Sequence, residues 1–457
     1  MNLQTLIDIV GPDGVLTGDD VRARSVSWAD HSPCQALDIV RPTNTEQVSR
    51  VLAACNAARQ PVVPMGGLTG LVRGCVAGPG EVALSLERMH GIEAVDPIGR
   101  TITLEAGVPL QVVQDEAEKH GLLYPVDFGA RGSAHIGGSV ATNAGGNGVI
   151  RYGMTRDSVL GLEAVLADGT VISSMNRMIK NNAAYDLKQL FIGSEGTLGI
   201  VTRLVLRLRE VPRSTQTALV GCTRFSDVTS LLKHMDASLG GSLSAFEVMW
   251  NEFFRLVTTP PAKGTAPLSQ DYPYYVLIES SGGDETRDQA QFEESLGAAI
   301  ESGLVADAVI ATSKAQRDSI WALRDDVEQF FRMGMPVTFD ISLPVGEMEA
   351  YVADALARLE KEWPAYRRFV FGHLGDGNLH FIVAGPPSRE AKQGIERCVY
   401  EPLAARSGSV SAEHGIGLEK QPWLPLSRSP AELALMQQIK RALDPNGILN
   451  PGRVLTV

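Results

Sequence analysis

Two short stretches near the C-terminal end carry the residues best suited to chemistry. They are Gly372-His373-Leu374-Gly375-Asp376-Gly377-Asn378-Leu379-His380 and Ser411-Ala412-Glu413-His414-Gly415. Three of the chain's eight histidines stand here, next to a glutamate. Phe369-Val370-Phe371 before the first stretch and Phe381-Ile382-Val383 after it are strand-like. Asp376-Gly377 between them is the favoured central pair of a two-residue type I′ hairpin turn. That turn sets Gly375 opposite Asn378, Leu374 opposite Leu379 and His373 opposite His380, with Cβ atoms about 4.5–5.5 Å apart. Two imidazoles at that spacing can grip one metal ion. With Glu413 they form a two-histidine, one-carboxylate set that leaves coordination positions open, as catalysis requires. A lone histidine would read as structural, but the opposed pair beside a Glu-His dipeptide reads as a metal-assisted site. His414, adjacent to ligand Glu413, is the candidate general base.

The elements that must position these residues follow from length and pattern. At 457 residues the chain exceeds one compact core, so two domains are the default. Its 44% hydrophobic and 21% charged residues are ordinary for a globular protein, and a net charge of −12 argues against nucleic acid as a partner. The N-terminus shows no basic region followed by an apolar run, and no stretch is apolar enough to span a bilayer. Cys34, Cys55, Cys75, Cys222 and Cys398 are scattered, without a CxxC pair, which suggests a reduced, cytoplasmic setting.

Short strands alternate with helices through the first half, an α+β pattern that includes a hairpin through Asp168-Gly169 and a long strand from Gly199 to Leu208. The composition changes after Val211-Pro212-Arg213. From there a β-α-β-β-α-β order predicts an antiparallel sheet covered by helices. The predicted domains are 1–212, 213–417 and a tail, 418–457, that returns to the first domain through a helix from Pro430 to Leu443.

Glycines concentrate at 66–74, 129–148 and 193–199, each group between apolar runs. Glycine lets the main chain approach a ligand and present several N–H groups to a phosphate. None of these groups is a strand-to-helix GxGxxG, and no GxxxxGK[ST] occurs, so NAD-type and P-loop readings are disfavoured.

Pro64 to Leu71, Gly132 to Gly138 with Ala141 to Gly146, and Gly193 to Ile200 resemble the FAD domain of the vanillyl-alcohol-oxidase-type flavoproteins. Gly372 to His380, Ser411 to Gly417 and Asn450-Pro451-Gly452 narrow the resemblance to the FAD-linked D-2-hydroxy-acid dehydrogenases, the D-2-hydroxyglutarate and D-lactate dehydrogenase group. The resemblance runs from about residue 36 onward. It implies an α+β fold, with a two-subdomain FAD-binding domain and a substrate, or cap, domain. It places Gly66, Gly67, Thr69, Gly70 and Leu71 at the pyrophosphate. Gly132, Ser133, Ile136, Gly137, Thr142 and Asn143 would line the dinucleotide, and Ile200 and Asn450 would approach the flavin and ribityl region. Relatives that bind flavin covalently do so through a His or a Cys where this chain has Leu68 and Ala134, so FAD is expected to be non-covalent, with His135 a reservation.

The resemblance also gives His373, His380 and Glu413 the role of metal ligands, His414 that of base, and Arg324 that of the arginine on the substrate carboxylate. Zn²⁺ suits the donors best, though Mn²⁺, Fe²⁺ and Co²⁺ also do. Hydride would pass from a D-2-hydroxy acid to flavin N5. It would then leave to an electron-transfer flavoprotein, a cytochrome or a quinone. A homodimer is the common default.

The chain departs from the 2-hydroxyglutarate pattern at two substrate positions, where Thr338 replaces a Lys and Ile382 an Asn. Desolvating a second carboxylate without a cation is costly. The expected substrate is therefore monocarboxylic and apolar, with D-2-hydroxyglutarate the alternative. Two rival classes are a metal-independent flavin oxidase of an alcohol or sugar and a non-enzymatic flavin electron carrier, neither of which needs the His-His-Glu set.

Overall fold

The structure, a computed structural model, describes residues 2–28 and 30–456. It divides into two compact units: Met1–Gly146, Gly153–Val211 and Glu413–Val457 form the first, Asn147–Tyr152 and Pro212–Ala412 the second.

In the first unit, β1 (Val15–Leu16), β2 (Ile39–Val40), β3 (Val62–Met65) and β4 (Val82–Ser85) form a sheet in the order β1-β2-β4-β3. Strands β2, β4 and β3 run parallel, which requires crossover connections. Helix Thr45–Ala57 supplies the crossover from β2 to β3. The Asn44 side chain caps it by accepting from Gln47 N, and Val48, Val51, Leu52 and Cys55 form its buried stripe. A second, antiparallel sheet contains β5 (Ile92–Asp96), β6 (Thr101–Glu105), β8 (Val159–Val165), β9 (Val171–Ser174) and β10 (Ile200–Arg207) in the order β5-β6-β10-β8-β9. Between these in sequence, β7 (Leu122–Leu123) pairs with β11 (Arg209–Glu210). The hairpin expected through Asp168-Gly169 forms, with Val165 opposite Val171.

Helix Pro430–Leu443 begins with the Ser429/Glu432 capping box and Pro430 in its first turn. Its buried Lys440 pairs with Asp444 and donates to Thr197 O at 2.8 Å and Leu449 O at 2.7 Å. Asp444 accepts from Ile448 N and Leu449 N. This clasp sets Leu449 beside Val62 and lets Asn450 N donate to Val62 O at 2.8 Å.

The second unit is built on seven strands: β12 (Ser214–Cys222), β13 (Leu243–Trp250), β14 (Tyr274–Gly282), β15 (Asp307–Ile310), β16 (Val337–Ser342), β17 (Arg367–His373) and β18 (Asn378–Ala384). Their order is β15-β12-β14-β13-β17-β18-β16, with every neighbour antiparallel. The first four strands have the spatial order of the expected β-α-β-β-α-β unit, and the last three extend it at the β13 edge. Helices Phe225–Leu239 and Glu285–Glu301 bury Val228, Leu231, Met235, Phe292 and Leu296. A separate aromatic cluster gathers Phe253, Phe254, Tyr275, Phe330, Phe369 and Phe371 with Ile382. Among the described residues no helix is long and apolar enough to cross a membrane.

Candidate active site

The turn between β17 and β18 differs from the expected type I′ hairpin. Leu374–Asp376 forms a single 3₁₀ turn, Gly377 adopts φ +85°, and Gly377 N donates to Leu374 O at 3.2 Å. The register puts Phe371, not His373, opposite His380. The cause is tertiary. His373 is the strand partner of Glu247 on β13, and its Nδ1 lies 2.8 Å from Glu247 Oε1. The loop packs so closely that a Cβ on Gly375 would fall 2.6 Å from Ile150 Cδ1. The two histidine rings remain neighbours, edge to face, with centroids 5.2 Å apart.

On its other side, His380 is paired with Asp340, on β16. Asp340 is fully buried and holds two segments. Its Oδ1 accepts from Asn378 Nδ2 at 3.0 Å, and its Oδ2 accepts from Ser411 Oγ at 3.2 Å and Ala412 N at 3.1 Å. Glu413 and His414 follow directly. The ligand atoms of Asp340, His380, Glu413 and His414 all lie within 4.8 Å of one another. Nitrogen and oxygen donors sit about 2.0–2.2 Å from a bound Zn²⁺, so small side-chain rotations bring this set into range. The donors therefore fit a divalent ion. Of the three ligands expected from the sequence, His380 and Glu413 belong to this group, together with His414, and His373 does not. Asp340 was not singled out from the sequence. The available signal was its place in Thr338-Phe339-Asp340-Ile341-Ser342, an acid at an inward position of a strand.

Arg324 is not a surface arginine. It is 6% exposed, its Nε donates to Glu247 Oε2 at 2.9 Å, and its guanidinium lies over the Phe371 ring. Burial would raise the Glu247 carboxyl, but its hydrogen bonds to His373 and Arg324 and the charge of the guanidinium hold it below the usual carboxylate range. Thr338 is exposed and directly opposite the buried Ile382. This pair sits on the same face as Asp340 and His380, two positions along each strand, or about 7 Å.

In the first unit the Gly-rich segments meet. A Cβ on Gly67 would fall 1.8 Å from Ser133 O, and one on Gly66 would fall 3.6 Å from His135 Cβ. A Cβ on Gly137 would fall 2.6 Å from Ala106 Cβ, so helix Ile136–Thr142 packs against the chain there. Nothing stands within 4 Å of where a Cβ on Gly70 or Gly132 would be, and Leu71 is exposed. Thr142 Oγ1 donates back to Gly138 O, Asn143 Oδ1 accepts from Arg156 N, and Ile200 opens β10. Leu68, Asn143, Glu195 and Asn450 hold φ of +57°, +53°, +52° and +44°, conformations that persist only where the surroundings enforce them. Asn450 Nδ2 donates to Gly74 O and Glu195 O. Asn450 Oδ1 and His135 Nδ1 are buried polar atoms with no partner among the described residues. Orphaned polar atoms and an open glycine-lined backbone are what a bound dinucleotide would complete, so this region fits FAD. In the same unit, Glu195 accepts from Ile416 N at 2.6 Å and Gly417 N at 2.9 Å. Burial holds its carboxyl above the usual range despite these donors. Gly146 N donates to Glu413 Oε2 at 3.1 Å.

Comparison with known proteins matches residues 36–174 to the FAD binding domain and residues 211–454 to the C-terminal domain of FAD linked oxidases. A probable mitochondrial D-2-hydroxyglutarate dehydrogenase of Oryza sativa subsp. indica is 41% identical over 451 residues, covering 98% of this chain and 80% of the relative. A D-2-hydroxyglutarate dehydrogenase of Xanthomonas citri pv. viticola is 39% identical, covering 93% of this chain and 91% of the relative. Among solved structures, p-cresol methylhydroxylase with substrate bound superposes with a TM-score of 0.76 at 17% identity, covering 99% of this chain and 96% of that one. An alkyldihydroxyacetonephosphate synthase gives 0.76 at 16% identity, covering 98% and 85%. These two likenesses establish the fold alone.

Proposed function

The chain is a member of the FAD-linked oxidase family, an FAD-dependent enzyme of the D-2-hydroxyglutarate dehydrogenase type, and from that premise we propose that it oxidises D-2-hydroxyglutarate to the 2-oxo acid with a divalent ion in the site. The observation that carries the metal reading is the convergence of His380, Glu413 and His414 beside a buried Asp340. His380 and Glu413 are ligands in this reading, with His373 the third. Asp340 is assigned to positioning, because its two oxygens already accept three hydrogen bonds that hold Ser411, Ala412 and Asn378. When bound, the ion polarises the substrate's α-hydroxyl and FAD accepts the hydride. His414 takes the hydroxyl proton, and Arg324 supplies a guanidinium for the α-carboxylate, fixing which face of the substrate reacts.

The relatives' names favour D-2-hydroxyglutarate over the monocarboxylic acid expected from Thr338 and Ile382. That second reading keeps one supporting observation: the Thr338–Ile382 pair offers a hydroxyl and an alkyl group two positions along each strand from Asp340 and His380, where a substrate tail would extend. A panel with an artificial dye acceptor tests both. D-2-hydroxyglutarate is expected to exceed D-lactate, D-2-hydroxybutyrate and D-mandelate in kcat/KM by at least about tenfold, or ~1.4 kcal/mol of transition-state binding. A higher value for any of the monocarboxylic acids would sink the dicarboxylate reading in favour of the other.

FAD is held without a covalent bond in this proposal, since Leu68 and Ala134 offer no nucleophile. Acid or heat denaturation should release all yellow colour into the supernatant. Colour retained on the chain would refute this and direct attention to His135.

A further inference from the structure

Glu247 lies on β13, with both carboxylate oxygens in use and its side chain 1% exposed. One oxygen faces His373 Nδ1 at 2.8 Å and the other accepts from Arg324 Nε at 2.9 Å. The triangle closes with Arg324 Nη2 at 3.1 Å from His373 Nε2. A guanidinium nitrogen can only donate, so Nε2 is the accepting, unprotonated nitrogen of His373. The ring proton is therefore on Nδ1 and is donated to Glu247. This is the tautomer in which Nε2 presents a lone pair to a metal ion, and a carboxylate behind the imidazole is the usual device for enforcing it.

We propose that Glu247 is the positioning residue that couples metal binding to substrate binding. It fixes His373 in the Nδ1–H tautomer, and it anchors Arg324 by Nε so that Nη2 can exchange the His373 lone pair for the substrate's carboxylate. Arg324 Nη2 faces the Nε2 lone pair that an ion would take. An ion held at Nε2 would take the place of Nη2 there, and Arg324, still anchored by Nε on Glu247, would have Nη2 available for a carboxylate. The inference rests on the reading of His373 as a ligand and Arg324 as the carboxylate clamp. It assigns Glu247 no contact with substrate. Its charge also matters: the carboxylate compensates the buried guanidinium at Nε, and a neutral replacement would remove that counter-charge.

The test uses the full-length flavoprotein and two readouts that do not depend on turnover. The first is Zn²⁺ affinity by competition with a chromophoric chelator. The second is the ¹⁵N chemical shifts of histidine-labelled, metal-free protein. Wild type is expected to show His373 protonated at Nδ1. Glu247→Gln should weaken Zn²⁺ binding by about 10–100-fold, raise KM for the hydroxy acid and disturb the His373 tautomer. Glu247→Asp keeps the charge and should recover part of the affinity. It also serves as the measurement if the Gln variant fails to fold. His373→Asn separates the layers. If it loses Zn²⁺ while Glu247→Gln binds as tightly as wild type with the tautomer unchanged, the role of Glu247 is refuted. If His373→Asn itself keeps wild-type affinity, His373 is not a ligand, and the inference falls with that reading.

Discussion

His414→Ala is expected to lower kcat by about 10²–10⁴-fold, the usual contribution of a positioned general base, with FAD content and Zn²⁺ affinity near wild type. The residue is placed for this role by its neighbours. Asp340 pins Ser411 and Ala412, three and two residues before it, Glu195 pins Ile416 and Gly417, two and three residues after it, and its Nε2 lies 4.0 Å from Glu413 Oε1. Backbone held on both sides leaves the imidazole little freedom beyond its own rotamers. Single-turnover flavin reduction checks the expectation directly, because it isolates the chemical step from reoxidation. Reduction at a near-normal rate would remove His414 as the base. The alternative outcome, loss of Zn²⁺ with loss of activity, would make it a ligand.

Removal of the divalent ion is expected to have an effect of comparable size. Lewis-acid stabilisation by a bound ion is worth several kcal/mol, and each ~1.4 kcal/mol is a factor of ten in rate. Dialysis against a chelator should therefore depress turnover of every D-2-hydroxy acid by about three orders of magnitude or more, with the flavin spectrum retained. Zn²⁺, Mn²⁺ or Co²⁺ should restore activity to different degrees, as His and carboxylate donors accept all three. Glu413→Gln should show the same loss and resist rescue. Undiminished activity in the metal-free protein would return the chain to the metal-independent oxidase class.

Much of the molecule was legible before any coordinates. The helix Pro430–Leu443 could be read from a proline at its start and a turn motif after its end. The Asp168-Gly169 hairpin could be read because its partners are adjacent in sequence. The Gly-rich segments were legible as backbone that must come close to something, and the contacts between Gly67 and Ser133 O show that they do. The register of the His373–His380 hairpin was not legible. Asp376-Gly377 favours a tight turn, but local preference is worth less than a buried charge-assisted pair, and His373 is claimed by Glu247, 126 residues away in sequence. Asp340 was missed for a similar reason. Its value comes from Asn378, Ser411 and Ala412, which lie 38, 71 and 72 residues from it.

By itself the sequence determined the α+β class and the flavin family, because these follow from residue types in short contiguous motifs. Only the tertiary structure decided which side chains meet. It set Phe371 rather than His373 opposite His380 on one side and Asp340 opposite it on the other, and it turned Arg324 inward to Glu247 and His373. It also set Thr338 directly across from Ile382. The physical reason is common to all three. Strand register and the pairing of buried charges are settled by partners far apart in the chain, where the cost of leaving a buried polar group unmatched outweighs the preference of any local turn.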